Sequence, residues 1–241
     1  MAKRNMSGGG VKPTLPKTLK GHNFFGLTLD DEQLAMADRI IDENVKAVFV
    51  SSVAGTGKTT VAVCSAVLMV EYGAYSDIVY CTHPVGDAQG FLPGTISDKS
   101  SVWFEGLYQA LVTANRNPDQ VIADTSIVNM KNGTGFVKAV TDTYLRGSTI
   151  GSEGRTVFIL DEAQNFDEHS LRKALTRAND NTKVIVIGHP GQIDLINKST
   201  SGFERCIRHF MSKGDERFAY CELKTNHRGI VSQIADEPWI E

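Results

Sequence analysis

The sequence predicts an α/β fold: a mostly parallel sheet with helices on both faces. Three observations carry this expectation. Short apolar runs recur as Ala47-Val48-Phe49-Val50, Ile78-Val79-Tyr80-Cys81, Val157-Phe158-Ile159-Leu160 and Val184-Ile185-Val186-Ile187. They lack the polar alternation of half-solvated strands, which is the pattern of strands buried on both faces. Segments of helical period separate them, as parallel connections require. A glycine-bearing turn, Gly55-Thr56-Gly57, joins the first run directly to a long helical segment.

The elements follow in order. Residues 1–22 carry Ser7-Gly8-Gly9-Gly10, Pro13, Pro16 and five cations, and read as a flexible basic tail. Such a tail is either a frayed terminus or an arm that contacts nucleic acid or a neighbouring subunit. Residues 23–241 then form one domain, because 241 residues with 41% hydrophobic content supply one sizeable core. Asp30 or Asp31 caps a helix running to about Asn44, with Leu34, Ala37, Ile40, Ile41 and Val45 on one face. Helices are expected over 58–72, 102–115, 168–178, 202–211 and 228–236, and a last strand over 218–223. Residues 117–154 read as a possible β-excursion, with short strands at 121–122, 127–130 and 136–137 around the turn Asn132-Gly133.

The strand-to-helix turn carries the chemistry. Ser52-Val53-Ala54-Gly55-Thr56-Gly57-Lys58-Thr59 fits the phosphate-loop pattern, except that Ser52 stands where glycine is usual. Gly55 and Gly57 let backbone N–H groups turn inward around phosphates, and the following helix start favours an anion. Lys58 is expected to reach the β- and γ-phosphates of ATP, and the Thr59 hydroxyl to hold Mg²⁺. Ala54, Thr56 and Thr60 complete the nucleotide-binding stretch. The strand Val157–Leu160 ends in Asp161-Glu162-Ala163-Gln164. Asp161 is the expected second metal ligand, and Glu162 the group that orients and deprotonates the attacking water. The third strand ends in Gly188-His189-Pro190-Gly191-Gln192, where Gln192 is placed to touch the γ-phosphate or that water.

The remaining totals bound the partners. A net charge of −3 argues against a protein that coats nucleic acid along its whole surface, while leaving room for a local basic channel. Cys64, Cys81, Cys206 and Cys221 show no C-x-x-C or metal-ligand spacing and read as reduced core thiols of a cytoplasmic protein. No apolar run is long enough to span a membrane.

Taken together, these motifs resemble the PhoH family of ATPases, related to superfamily 1 helicases, over about residues 29–236. The matching pieces are Gln33, Ala54–Thr59, Gly90-Phe91-Leu92-Pro93-Gly94, Tyr144-Leu145-Arg146-Gly147, Asp161–Gln164, Leu175-Thr176-Arg177, Gln192-Ile193-Asp194-Leu195 and Ser201-Gly202. The resemblance implies a RecA-like P-loop core, ATP hydrolysis, action on single-stranded nucleic acid (RNA more than DNA), and assembly into a ring, as a hexamer. It implies that Gln33 reads the adenine edge. Two positions depart from the family pattern: His189 stands where an acidic residue is usual, and Asn226-His227-Arg228 where Arg-His is usual.

One phosphate loop leaves room for one such core, so a charge-stabilising arginine is expected from an adjacent subunit. Arg146, Arg177 and Arg228 are the candidates, with Arg177 and Arg228 preferred because each follows an element expected to end near the nucleotide. Nucleic-acid contacts are expected from His83-Pro84-Val85 and from Lys131, Lys138, Arg146 and Arg155, with Phe136 and Tyr144 for stacking. The competing reading is a non-motor, ATP-gated assembly switch with a protein partner. A small-molecule kinase is disfavoured by the lack of an arginine-rich lid.

Overall fold

Among the described residues, six strands form one sheet, and every pairing in it is parallel. The computed structural model describes residues 14–84, 101–123, 135–145 and 149–237. The strands are β1 (Ala47–Ser52), β2 (Asp77–Thr82), β3 (Val137–Thr141), β4 (Thr156–Asp161), β5 (Thr182–Gly188) and β6 (Phe218–Leu223), in the order β3-β2-β4-β5-β1-β6. This is a RecA-like P-loop arrangement. The phosphate-loop strand β1 and the carboxylate strand β4 are separated by β5 alone. Pairing is in step at the carboxyl ends, with Ser51 opposite Gly188 and Thr82 opposite Asp161. Residues leaving β1, β4 and β5 therefore enter one crevice, where open parallel sheets bind ligands.

The helices are α1 (Asp31–Ile41), α2 (Lys58–Glu71), α3 (Glu105–Thr113), the single turn α4 (Pro118–Val121), α5 (Glu168–Leu175), α6 (Phe203–Met211) and α7 (Ile230–Asp236). One sheet face packs against α1, α2 and α3, and the other against α5 and α6. Residues 61–69 of α2 are all buried, because α1 and α3 flank it while the sheet lies beneath. That explains why its sequence is apolar all round rather than striped. Asp30 begins α1 through a reciprocal cap: its side chain accepts from Gln33 N, and the Gln33 amide accepts from Asp30 N. No described helix is long and apolar enough to cross a membrane.

The segment 117–154 departs from expectation. Its described part is not an excursion: β3 lies in the main sheet as the edge strand beside β2. Residues 121–122 are the end of a helical turn capped by Asn117, with Ile122 making one bridge to Val137. The strand expected at 136–137 is its start; Lys138 and Thr141 obscure the rest in the sequence, and Lys138 is exposed, as an edge strand permits. The predicted strand 127–130 and turn Asn132-Gly133 lie outside the described residues. The 102–115 helix divides into a 3₁₀ turn, Ser101–Phe104, and α3. The 168–178 helix stops at Leu175, where the chain turns toward β5.

At the amino end of β5 sits Lys183, fully buried. Its Nζ donates to the carbonyls of Asp42, at 2.6 Å, and Val45, tying the end of α1 to the sheet. Burial pushes this amine down to about 7. A neutral amine has two N–H groups, one for each carbonyl.

Candidate nucleotide site

The loop after β1 is shaped by two left-handed glycines, Gly55 (φ 72°) and Gly57 (φ 75°), a conformation that strains residues bearing a Cβ. Ser52, the departure from the usual glycine, is the last residue of β1. It is buried and pairs with Leu223, and its hydroxyl lies 3.4 Å from the Gly188 carbonyl. Extended strand geometry suits serine there. No side chain caps α2, which starts at Lys58, so its first N–H groups are available to an anion. Thr59 and Thr60 stand in that first turn. Thr56 is buried, and its hydroxyl has no partner among the described residues. Gln33 Nε2 donates to the Thr56 carbonyl at 2.9 Å while its oxygen caps α1. The amide expected to read adenine thus braces the phosphate loop.

Two carboxylates meet this loop from β4. The Thr59 hydroxyl donates to Asp161 Oδ2 at 2.9 Å, and the Tyr80 hydroxyl from β2 donates to the same oxygen. Asp161 is buried. Burial and the neighbouring Glu162 push its pKa above the usual carboxylate value, opposed by hydrogen bonds from Tyr80 and Thr59 and by the charge of Lys58. Hard oxygens gathered at one point suit a Mg²⁺ ion, so Thr59 and Asp161 fit the role expected of them. Tyr80 was not anticipated as part of the site; its own hydroxyl is pushed well up by burial and by Asp161. Glu162 leaves the strand in a left-handed conformation, φ 51° and ψ 42°, rare for a residue with a Cβ. Its carboxylate turns toward the loop, 3.9 Å from Lys58 Nζ, and stays part-exposed. Strain of this kind gathers where a side chain must be aimed.

Gln164 connects the carboxylates to the end of β5. Its Nε2 donates to Glu162 Oε2 at 2.6 Å and to the Gln192 carbonyl at 3.0 Å, and its oxygen accepts from His189 N at 2.9 Å. Its backbone carbonyl accepts from the Ser201 hydroxyl. The next residue, Asn165, exchanges two hydrogen bonds with Asp194. So the 189–201 loop engages through the Gln192 main chain, and the Gln192 side chain projects outward, exposed. His189 is explained by its surroundings. Its Nδ1 accepts from Gly191 N, so Nε2 carries the hydrogen and meets Asp236 Oδ1 at 3.2 Å. The other Asp236 oxygen accepts from Ala54 N in the phosphate loop, at 3.2 Å. The histidine thus ties β5 to the C-terminal helix and the loop together.

A family model described as PhoH-like protein matches residues 28–236. The chain belongs to the PhoH family. Protein PhoH2 of Bacillus subtilis is 28% identical over 88% of this chain and 48% of that protein. The PhoH-like protein of Mycobacterium tuberculosis H37Rv is 32% identical over 81% of this chain and 53% of its own length. The chain spans about half the length of these relatives. Among solved structures, the Pif1 helicase of Candida albicans aligns with a TM-score of 0.43 and 18% identity, covering 87% of this chain and 43% of the other.

The arginines of this PhoH-family chain lie differently from expectation. Arg228 does not project away from its own site: a Cβ placed on Gly55 would sit 3.0 Å from Arg228 Cγ and 2.5 Å from Asn226 Oδ1. His227 N donates to the Gly55 carbonyl, and its ring meets Asp30. Arg177 lies at the other end of the sheet. It follows α5, its carbonyl accepts from Ile150 N, and β5 begins only at Thr182. A strand of this length spans about 20 Å, so Arg177 is far from the nucleotide crevice of its own subunit. Its Nε is buried with no partner among the described residues. Arg155 is held by Glu43 and lies 4.4 Å over the Tyr75 ring, also at the amino end of the sheet. Phe136 packs against the core, so it is not free to stack. The His83 ring lies tilted against Phe166, and its Nδ1 is 3.1 Å from Asp142. Val85, the 90–94 motif, Lys131, Arg146 and the Tyr144 side chain lie outside the described residues.

Proposed function

We propose that this chain hydrolyses ATP with Mg²⁺ and works as a ring, hexameric in form, moving on or remodelling single-stranded nucleic acid, RNA in preference to DNA. The observation that carries the reading is the convergence of Lys58, Thr59, Asp161 and Glu162 on one crevice. In it Lys58 binds the β- and γ-phosphates, and the loop and helix N–H groups hold the rest of the chain of phosphates. Thr59 and Asp161 would hold the metal, which when bound neutralises charge developing on the phosphates. Glu162 takes the proton of the attacking water, and Gln164 holds it in line. Gln33 and the Asp30–His227 pair stand where the loop meets α1, and Gln33 is the group assigned to the adenine edge in this reading. Arg228 supplies charge stabilisation beside Gly55. Arg177, half-buried at the amino end of the sheet and far from its own crevice, is retained as a group acting across a ring interface.

The test is the rate of phosphate release with and without single-stranded RNA and single-stranded DNA. Strong stimulation, larger with RNA, is expected; a rate indifferent to both would refute the motor. One observation favours the second reading, an ATP-gated switch with a protein partner. Helix α7 exposes Ile230, Val231 and Ile234 while its Asp236 bonds the phosphate loop. Indifference to nucleic acid, together with nucleotide-dependent protein association, would favour that reading.

A further inference from the structure

We infer that the groove between the 190–199 loop and α6 is a binding site for the sugar–phosphate backbone of the single strand, built around Lys198 and Arg208. The inference rests on the nucleic-acid reading above and says where the strand makes contact. A polar cavity of about 220 Å³ opens there, lined by Pro190, Ile193 and Lys198 from the loop and by Glu204, Arg205 and Arg208 from α6. It lies at the carboxyl end of β5, beside the nucleotide crevice.

The local charge runs against that of the chain, which is −3 overall. Arg205 and Arg172 share one carboxylate, that of Glu168. Lys198 and Arg208 are exposed, and neither side chain has a hydrogen bond or ion pair among the described residues. Only Glu204 opposes them on the cavity wall. An enclosed cage for a small anion would bury its donors. An open row, with Arg205 and Arg208 one helical turn apart, instead suits an extended polyanion that meets each cation in turn. A second feature points the same way. Ile196, between these cations and Gln192, is wholly exposed at 103%. An apolar side chain held in water beside a phosphate-binding row is suited to lie against an unpaired base.

The site is wired to the hydrolytic carboxylate. The loop that forms one wall is bonded to Gln164 through His189, Gln192 and Ser201, and to Asn165 through Asp194. Gln164 in turn holds Glu162. A strand that draws on Lys198 and Ile196 therefore pulls on the residues that aim the general base, giving a route from strand binding to faster turnover.

The test is fluorescence anisotropy of a labelled, mixed-sequence single-stranded RNA against the full chain, titrated from about 50 to 200 mM salt. The wild-type chain should bind with a steep salt slope. K198A/R208A should bind about tenfold more weakly and lose about 1.4 from the slope of log affinity against log salt, the release expected for two phosphates on a single strand. It should also lose most of the RNA stimulation of phosphate release and melt at the wild-type temperature. I196A should weaken binding with an unchanged slope. If the wild-type chain binds RNA and K198A/R208A binds it with the same affinity and slope, the site is wrong and the motor reading stands. If the wild-type chain binds no single strand at all, the motor reading itself fails. If the double variant instead loses its oligomeric mass in light scattering while still binding RNA, the groove is a protein contact and the inference is overturned.

Discussion

Replacing Gln164 with Glu should uncouple hydrolysis from nucleotide binding. The two side chains are nearly isosteric, and Oε1 can still accept from His189 N. The other terminus changes from a donor to an acceptor. It then faces Glu162 Oε2 at 2.6 Å and the Gln192 carbonyl at 3.0 Å, both of which accept. Two donated bonds are lost in a site that is almost closed to water, since Gln164 is 1% exposed. At about 1–2 kcal/mol for each lost bond, the cost is about 2–4 kcal/mol. Charge repulsion turns Glu162 away from its aim, so this cost falls on the step that needs it. Turnover should drop about 30- to 1000-fold, with nucleotide affinity within about threefold, because Lys58 and the loop are untouched. The assays are phosphate release at saturating ATP and titration of a fluorescent ATP analogue. A double-mutant cycle separates this from general loosening. In the Glu162→Gln background the same change should cost little more, because the group being aimed is already gone. Turnover near wild type in the single variant, or fully additive losses in the cycle, would refute the argument.

Lys58→Ala should abolish binding of the fluorescent analogue, while Glu162→Gln should keep it and slow phosphate release by about 10²–10⁴; normal turnover in the second removes Glu162 as the base. Arg228→Ala should lower turnover with little loss of nucleotide affinity, and mixing with Lys58→Ala chains should not restore it, because Arg228 lies over the loop of its own chain; restored activity would return this arginine to a role in trans. Lys183 titrates near 7 when folded against 10.5 when free. Its depressed value means the unfolded chain holds the extra proton between those limits, so stability rises with pH there and is flat below about 7. Relative to Lys183→Met, the wild-type chain should gain up to about 1.4 kcal/mol per pH unit from pH 7 to 10 in denaturant titrations. A difference that does not change with pH would show that the amine stays charged when buried.

What the sequence revealed depended on whether a residue's partners lay nearby in the chain. The strand, turn and helix around Gly55 and Gly57 were legible because backbone conformation and anion chemistry there are local. The same holds for the apolar run ending at Asp161. Contacts between strands were not legible. Tyr80 reads as one more core aromatic in β2, and only the register that sets Thr82 beside Asp161 brings its hydroxyl to that carboxylate. Gln164 appeared as the tail of a motif, and its role as a hub depends on β5 lying next to β4. Lys183 reads as the polar start of a strand, and its burial follows from α1 folding over the amino end of the sheet. Only the start of β3, at 136–137, was legible, because an edge strand carries exposed residues such as Lys138.

Arg228 lies beside the phosphate loop of its own chain. Counting one phosphate loop suggested that the chain could not finish its own site. That count overlooked the return of the chain after β6, which runs beside β1 in parallel and so delivers the next residues to the same carboxyl end. Asn226, His227 and Arg228 then land on Gly55, and α7 brings Asp236 back to Ala54 and His189. Both departures from the family pattern fall in this one assembly. His189 in place of an acid offers an N–H to Asp236, where a carboxylate would have repelled it. The shifted Asn-His-Arg places Asn226 and Arg228 over the loop, and His227 on the cap of α1. His189 and Asn226-His227-Arg228 are both parts of one contact between the C-terminal segment and the phosphate loop. Through Ala54 and His189, α7 is joined to both the phosphate loop and the end of β5.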